Sequence, residues 1–180
     1  MRITVAETVG LVIDLQERLV PHMHNCDELI LKNRILIKGL KLLDIPLLWT
    51  EQYPKGLGRT VSGVDELLAN DIPFEKTAFS CCDDAAILSR MQFPGKKTVL
   101  IAGIETHVCV LQTAIDLCSH GMSPVVVEDA VSSRRENDKR IALGRITGAG
   151  GRLTTVESVL FELARTAQHP SFKALSNLVK

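Results

Sequence analysis

Short apolar runs alternate along the chain with longer stretches in which apolar residues recur every three or four positions, the pattern of βα units around a parallel sheet. Six strands are predicted, at 8–13, 45–50, 72–75, 98–103, 124–128 and 152–156. Val99-Leu100-Ile101-Ala102 and Val125-Val126-Val127 are apolar without alternation, as expected of interior strands covered on both faces. Between them, 27–43 reads as a helix, with Leu29, Leu36, Leu40 and Leu43 on one face and Arg34, Lys38 and Lys41 on another. Asn25 with Glu28, and Ser133 with Glu136, have the form of capping boxes at two helix starts. Further helices are expected at 83–91, 106–120 and 136–149, the second of these closed by Gly121 as a left-handed cap, with shorter ones at 63–70, 156–166 and 172–180. Gly148-Ala149-Gly150-Gly151 leaves a helix and enters a strand, so it reads as a helix stop with a tight turn and not as a phosphate loop. The first strand runs into Asp14-Leu15-Gln16-Glu17, which has no glycine and would repel a pyrophosphate, so no dinucleotide cofactor is expected.

Composition narrows the class. The 180 residues suit one domain over 1–180, and with 46% hydrophobic residues the core needs no metal or disulfide staple. Only 4% are aromatic, which favours aliphatic strands packed by helices over an aromatic-rich β-sandwich. The 21 basic and 21 acidic side chains cancel, which removes the bulk electrostatic case for a nucleic acid or an anionic membrane as partner. The longest stretch free of Asp, Glu, Lys and Arg, 117–127, contains Gly121 and Pro124. It falls far short of the roughly 20 apolar residues of a membrane span. Arg2, Glu7 and Asp14 leave no clean apolar block for a cleavable signal. Five cysteines, an odd number with Cys81 and Cys82 adjacent, suit free thiols in a reducing, cytoplasmic setting.

In a doubly wound sheet, ligands bind beyond the carboxyl ends of the strands. Asp14 follows the first strand there, Lys76 the third, and Glu105-Thr106-His107-Val108-Cys109 the fourth. With Thr106 as N-cap, Cys109 would fall in the first turn of a helix. The helix dipole and a nearby Lys would then bring its thiol from about 8.5 into a range of roughly 3.5 to 7.5. The plainer alternative is a small buried hydrophobe among Val108, Val110 and Leu111. Asp14 can be a general acid/base or a strand-end loop cap, and Lys76 a surface charge or the ion-pair partner of Asp14. Cys26, Cys81, Cys82 and Cys118 lack the helix-start position and are expected to pack.

Leu11-Val12-Ile13-Asp14-Leu15-Gln16, Phe74-Glu75-Lys76-Thr77-Ala78-Phe79-Ser80 and Ala102-Gly103-Ile104-Glu105-Thr106-His107-Val108-Cys109-Val110, in this order, resemble the isochorismatase-like cysteine hydrolase superfamily over nearly the whole chain. The stretches 50–58 and 128–134 resemble its small single-domain members, often named only as isochorismatase-domain hydrolases. The resemblance implies a three-layer α/β/α fold with a six-stranded parallel, Rossmann-like sheet and an Asp14-Lys76-Cys109 triad. It also implies a non-proline cis peptide between Ile104 and Glu105, which would aim the backbone N–H groups of Glu105 and Cys109 at one point as an oxyanion hole. The implied activity is hydrolysis of a small-molecule amide or related C–N bond through a thioester. The pocket wall is expected from Gln16, Leu19, Glu51, Tyr53 and Phe79. Nicotinamidases of this superfamily bind a metal through an Asp and two His after the second strand; here that region reads Glu51-Gln52-Tyr53-Pro54, so no metal is expected. His22 and His24 read as solvent-facing loop residues. Isochorismate-cleaving members often lack the cysteine, so Cys109 argues against that substrate. A homo-oligomer, dimer or larger, is the usual assembly of the family. Two other readings remain: a non-catalytic protein that uses the fold for partner binding or assembly, and, more weakly, a redox protein using Cys81-Cys82 or Cys109.

Overall fold

Six strands, β1 (Thr8–Ile13), β2 (Leu47–Gln52), β3 (Phe74–Lys76), β4 (Thr98–Ile104), β5 (Ser123–Ser132) and β6 (Arg152–Thr154), form one sheet in the order β3-β2-β1-β4-β5-β6. Every neighbouring pair is parallel. This is a computed structural model, and it describes residues 2–68 and 72–180. The strand order reverses between β1 and β4, so the sheet is doubly wound and its ligand end lies beyond the carboxyl ends of these two central strands.

Helices cover both faces. Helix α1 (Cys26–Leu42) is followed by two single turns, α2 (Pro54–Leu57) and α3 (Asp65–Leu68), then by α4 (Ala85–Met91), α5 (Leu111–Ser119), α6 (Glu136–Gly148), α7 (Val156–Ala164) and α8 (Phe172–Leu178). Strand β4 is buried throughout, and from Val99 to Ala102 its side chains alternate between two apolar clusters. Val99 and Ile101 pack with Ile87 and Met91 of α4, Leu117 of α5 and Ile146 of α6. Leu100 and Ala102 pack with Leu36 and Leu40 of α1, Leu160 of α7 and Leu175 of α8. Two covered faces explain the unbroken apolar runs, and each large aliphatic side chain so buried contributes about 1.5–3 kcal/mol.

The elements differ from the sequence pattern mainly at their ends. Strand β3 is Phe74–Lys76, and Ile72, expected within it, lies outside the strand and is exposed. Strand β5 runs on to Ser132, because its register with β4 shifts near Gly103 and a second stretch of pairing joins Val131 and Ser132 to Gly103 and Ile104. The helix expected at 63–70 is the turn Asp65–Leu68, while 69 and 70 lie outside the described residues. Neither capping box forms. Asn25 has φ 51° and its side chain makes no cap bond. Arg135, not Ser133, precedes α6, and Ser133 turns its hydroxyl to His107 Nδ1 at 3.0 Å. The Gly150 turn (φ 101°) after α6 and the Gly121 turn (φ 72°) after α5 are as expected.

Candidate active site

Asp14 leaves the end of β1 with φ 52°, a left-handed turn that carries its side chain out of the strand direction, and it is 1% exposed. Its Oδ2 accepts from Lys76 Nζ at 2.7 Å and its Oδ1 from the Thr50 hydroxyl at 2.7 Å. Lys76, 4% exposed at the end of β3, also donates to Gln52 Oε1 at 2.7 Å and reaches the carbonyls of Ala78 and Phe79 at 3.3 Å. Its Nζ stands 3.6 Å from Cys109 Sγ. Asp14, Lys76 and Cys109, drawn from three parts of the chain, are thus joined through one ammonium group. Burial alone would push the Lys76 ammonium down, but the charge of Asp14 beside it more than offsets this, so the group is held above its usual range.

Cys109 does not sit in the first turn of an ordinary helix. Residues Thr106–Val110 form a π-helical turn ahead of α5, in which Val110 N–H donates to Glu105 O at 3.2 Å across five residues. Thr106 lies inside this turn and caps nothing, and its buried hydroxyl has no hydrogen-bond partner among the described residues. The expected lowering of the thiol is also reversed. Burial, then the negative charge of Asp14, push Cys109 up to about 12, and Lys76 only partly opposes them. With Cys109 only 6% exposed, desolvation of the thiol outweighs the attraction of Lys76. Burial and the neighbouring carboxylate thus favour the neutral thiol of Cys109, which lies beside the Asp14–Lys76 ion pair.

The peptide between Ile104 and Glu105 is cis. Beyond it, the Glu105 carboxylate is buried and accepts from Arg134 Nη2 at 3.1 Å, with His107 Nδ1 at 4.0 Å from its second oxygen. Of the residues expected on a pocket wall, Gln16 is fully buried. Its amide bonds the backbone of Gln52, as donor and acceptor, and the Gly58 carbonyl, so it frames the site and does not present its amide to a ligand. Glu51 is likewise buried, its Oε1 accepting from the Thr60 N–H and hydroxyl at 2.7 and 2.9 Å. Leu19 is half-buried and packs with Val12, Leu15 and Trp49. Tyr53 and Phe79 are 55% and 52% exposed; the Tyr53 N–H donates to the Lys76 carbonyl at 2.9 Å, and the Phe79 carbonyl accepts from Lys76 Nζ at 3.3 Å. Thr50 and Gln52, which grip Asp14 and Lys76, did not stand out in the sequence. Thr50 ends a predicted strand and Gln52 follows it, and nothing in either residue type separates a site ligand from an ordinary strand-end polar residue. A cavity of about 560 Å³ between the start of α1 and α6 is not lined by Asp14, Lys76 or Cys109. The chemistry of the side chains, not concavity, marks the site.

Residues 8–158 match the isochorismatase domain. The chain is 39% identical over 175 residues to isochorismatase domain-containing protein 1 of Salmo salar, covering 97% of this chain and 62% of that protein. It thus spans about three fifths of that relative's length. Among solved structures, the MAR1 ribonuclease of Caenorhabditis elegans superposes with a TM-score of 0.93 at 40% identity, over 99% of this chain and 92% of that one. The ycaC gene product of Escherichia coli, described as an octameric hydrolase of unknown specificity, superposes with a TM-score of 0.93 at 24% identity over 99% and 89% of the two chains. The last match speaks to the fold alone.

Proposed function

The chain belongs to the isochorismatase family, and from that premise we propose that it is a cysteine hydrolase cleaving a small-molecule amide or related C–N bond, without metal or cofactor, through Asp14, Lys76 and Cys109. One observation carries this reading: a single buried ammonium lies 2.7 Å from a carboxylate and 3.6 Å from a thiol. Because the resting thiol is neutral, the nucleophile forms as it attacks. Cys109 Sγ bonds to the substrate carbonyl carbon while its proton passes to Asp14, and Lys76 balances the charge that moves from carboxylate to sulfur. The carbonyl oxygen becomes an oxyanion, for which the backbone N–H groups of Glu105 and Cys109 are the proposed donors, a device worth roughly 10²–10³ in rate per donor. Protonated Asp14 then gives its proton to the leaving amine, and a thioester remains. Water, deprotonated by the same carboxylate, releases the acid and restores the thiol.

Tyr53, Phe79 and Leu19 offer the substrate an apolar rim, while Gln16 and Glu51 hold the frame behind it. Five free cysteines fit a reducing, cytoplasmic setting, and a homo-oligomer of two or more copies is the proposed assembly. Among the described residues no helix is long and apolar enough to cross a membrane. The relative described as a ribonuclease makes RNA a second substrate class to test. A net charge of zero gives no bulk attraction to a phosphate backbone. A panel of small amides with one RNA oligonucleotide separates the two. The parent protein is expected to turn over an amide, with an acyl mass on the Cys109 peptide. Cys109→Ala should lose at least about 10³-fold in rate. Full amide turnover by Cys109→Ala, or RNA cleavage without any amide turnover, sinks the proposal.

A further inference from the structure

Thr50 lies where the two strands that deliver Asp14 and Lys76 flank the same strand. On β2 it stands opposite Ile13 of β1 and Phe74 of β3. It holds Asp14 twice: its carbonyl accepts the Asp14 N–H at 3.2 Å, and its hydroxyl donates to Asp14 Oδ1 at 2.7 Å. Thr50 is 1% exposed, so no water competes for that hydroxyl, and its β-branched side chain is stiff about χ1. The second oxygen, Oδ2, is bound to the ammonium that also touches Cys109 Sγ.

We propose that Thr50 is a positioning residue for the general base: by holding Oδ1 it leaves Oδ2 facing the Lys76 and Cys109 side as the oxygen that takes the thiol proton. This rests on the reading of Asp14 as the base. The S–H bond breaks, an O–H bond forms at Oδ2, and the negative charge passes to sulfur beside Lys76. Oδ1 is an acceptor in the carboxylate and remains one, as the carbonyl oxygen, in the acid. The Thr50 hydroxyl therefore serves both protonation states without turning, which keeps the site organised through the transfer.

The test needs no known substrate. The rate of Cys109 alkylation by iodoacetamide is located by peptide mapping between pH 6 and 9 in the parent, Thr50→Val, Thr50→Ser and Asp14→Asn, with far-UV circular dichroism and thermal midpoints alongside. Thr50→Val keeps the shape and removes the donor, and is expected to slow labelling about tenfold, whereas Thr50→Ser should stay within about twofold of the parent. Equal slowing in Val and Ser, or a Thr50→Val profile that overlies the parent's while Asp14→Asn is slow, overturns the role of Thr50 and leaves the triad standing. An Asp14→Asn profile as fast as the parent's or faster, the outcome expected if the carboxylate acts on the thiol only through its charge, overturns the triad itself. If Thr50→Val does not fold, Thr50→Ala compared with Thr50→Ser carries the same decision.

Discussion

Gly103 has φ 105°, and a Cβ built there would lie 2.0 Å from the Ile13 carbonyl oxygen. Ile13 precedes Asp14, and Gly103 precedes the Ile104–Glu105 peptide, so one side-chain-free position lets β1 and β4 approach at the point where both carry residues of the candidate site. Gly103→Ala is therefore expected to cost at least about 3 kcal/mol in urea denaturation, from strain and from forced strand separation. Gly144, mid-helix in α6 with open space around its Cα, is the control: Gly144→Ala should gain up to about 1 kcal/mol. A Gly103→Ala midpoint near the parent's would mean the close approach is not enforced. That Asp14 and Lys76 would lie together at the carboxyl end of the sheet was legible at this scale, because a charged residue just beyond an apolar run is conspicuous, and the segment after the fourth strand brought Cys109 to the same end. The state of Cys109 was not, because desolvation depends on what covers a residue, and that cover comes from distant segments.

Element boundaries follow from backbone hydrogen bonds that side-chain periodicity does not report. The βα alternation was readable because each buried strand and each amphipathic helix repeats its signal over several residues, whereas the π turn at Thr106–Val110 adds one residue to a loop of hydrogen bonds and leaves the apolar pattern of 106–120 intact. Capping is similar: spacing proposes a pair, but φ decides. Asp84 precedes α4 in an extended conformation (φ −102°), and its Oδ1 accepts from Ala86 and Ile87 N–H at 2.9 and 3.1 Å. Asn25, in the left-handed region, cannot aim its side chain in this way. Asp84→Ala should lower stability by about 1 kcal/mol, while Asn25→Gly should be neutral or gain up to about 1 kcal/mol by removing the left-handed penalty. Equal losses in the two variants, compared by urea midpoint, would restore a capping role to Asn25.

Across the whole molecule, the order β3-β2-β1-β4-β5-β6 gathers at one end of the sheet residues up to 95 positions apart in sequence, Asp14 and Cys109, and buries them with two further thiols. Burial holds Cys81 up to about 11 and Cys82 and Cys109 up to about 12, against an ordinary value of 9.0. An acid whose folded value is raised is neutral in the fold while its unfolded counterpart ionises. Its contribution is therefore complete below about pH 9 and is lost as pH climbs from there toward the folded value. Lys76 is also held above its ordinary 10.5, but as a base it keeps its contribution until pH passes that value, so it adds nothing to the loss between 9 and 10. With reductant present, the urea midpoint is expected to be flat from pH 7 to 8.5 and to fall steadily from 9 to 10.5. Cys82→Ala, which removes one of the three thiols without touching the ion pair, should make that fall shallower than the parent's, even if the cavity it leaves lowers the whole curve. A parent midpoint unchanged up to pH 10.5 would mean that the three thiols ionise as freely in the folded chain as in the unfolded one, and the neutral resting state of Cys109, on which the order of proton transfer and attack depends, would fall with them.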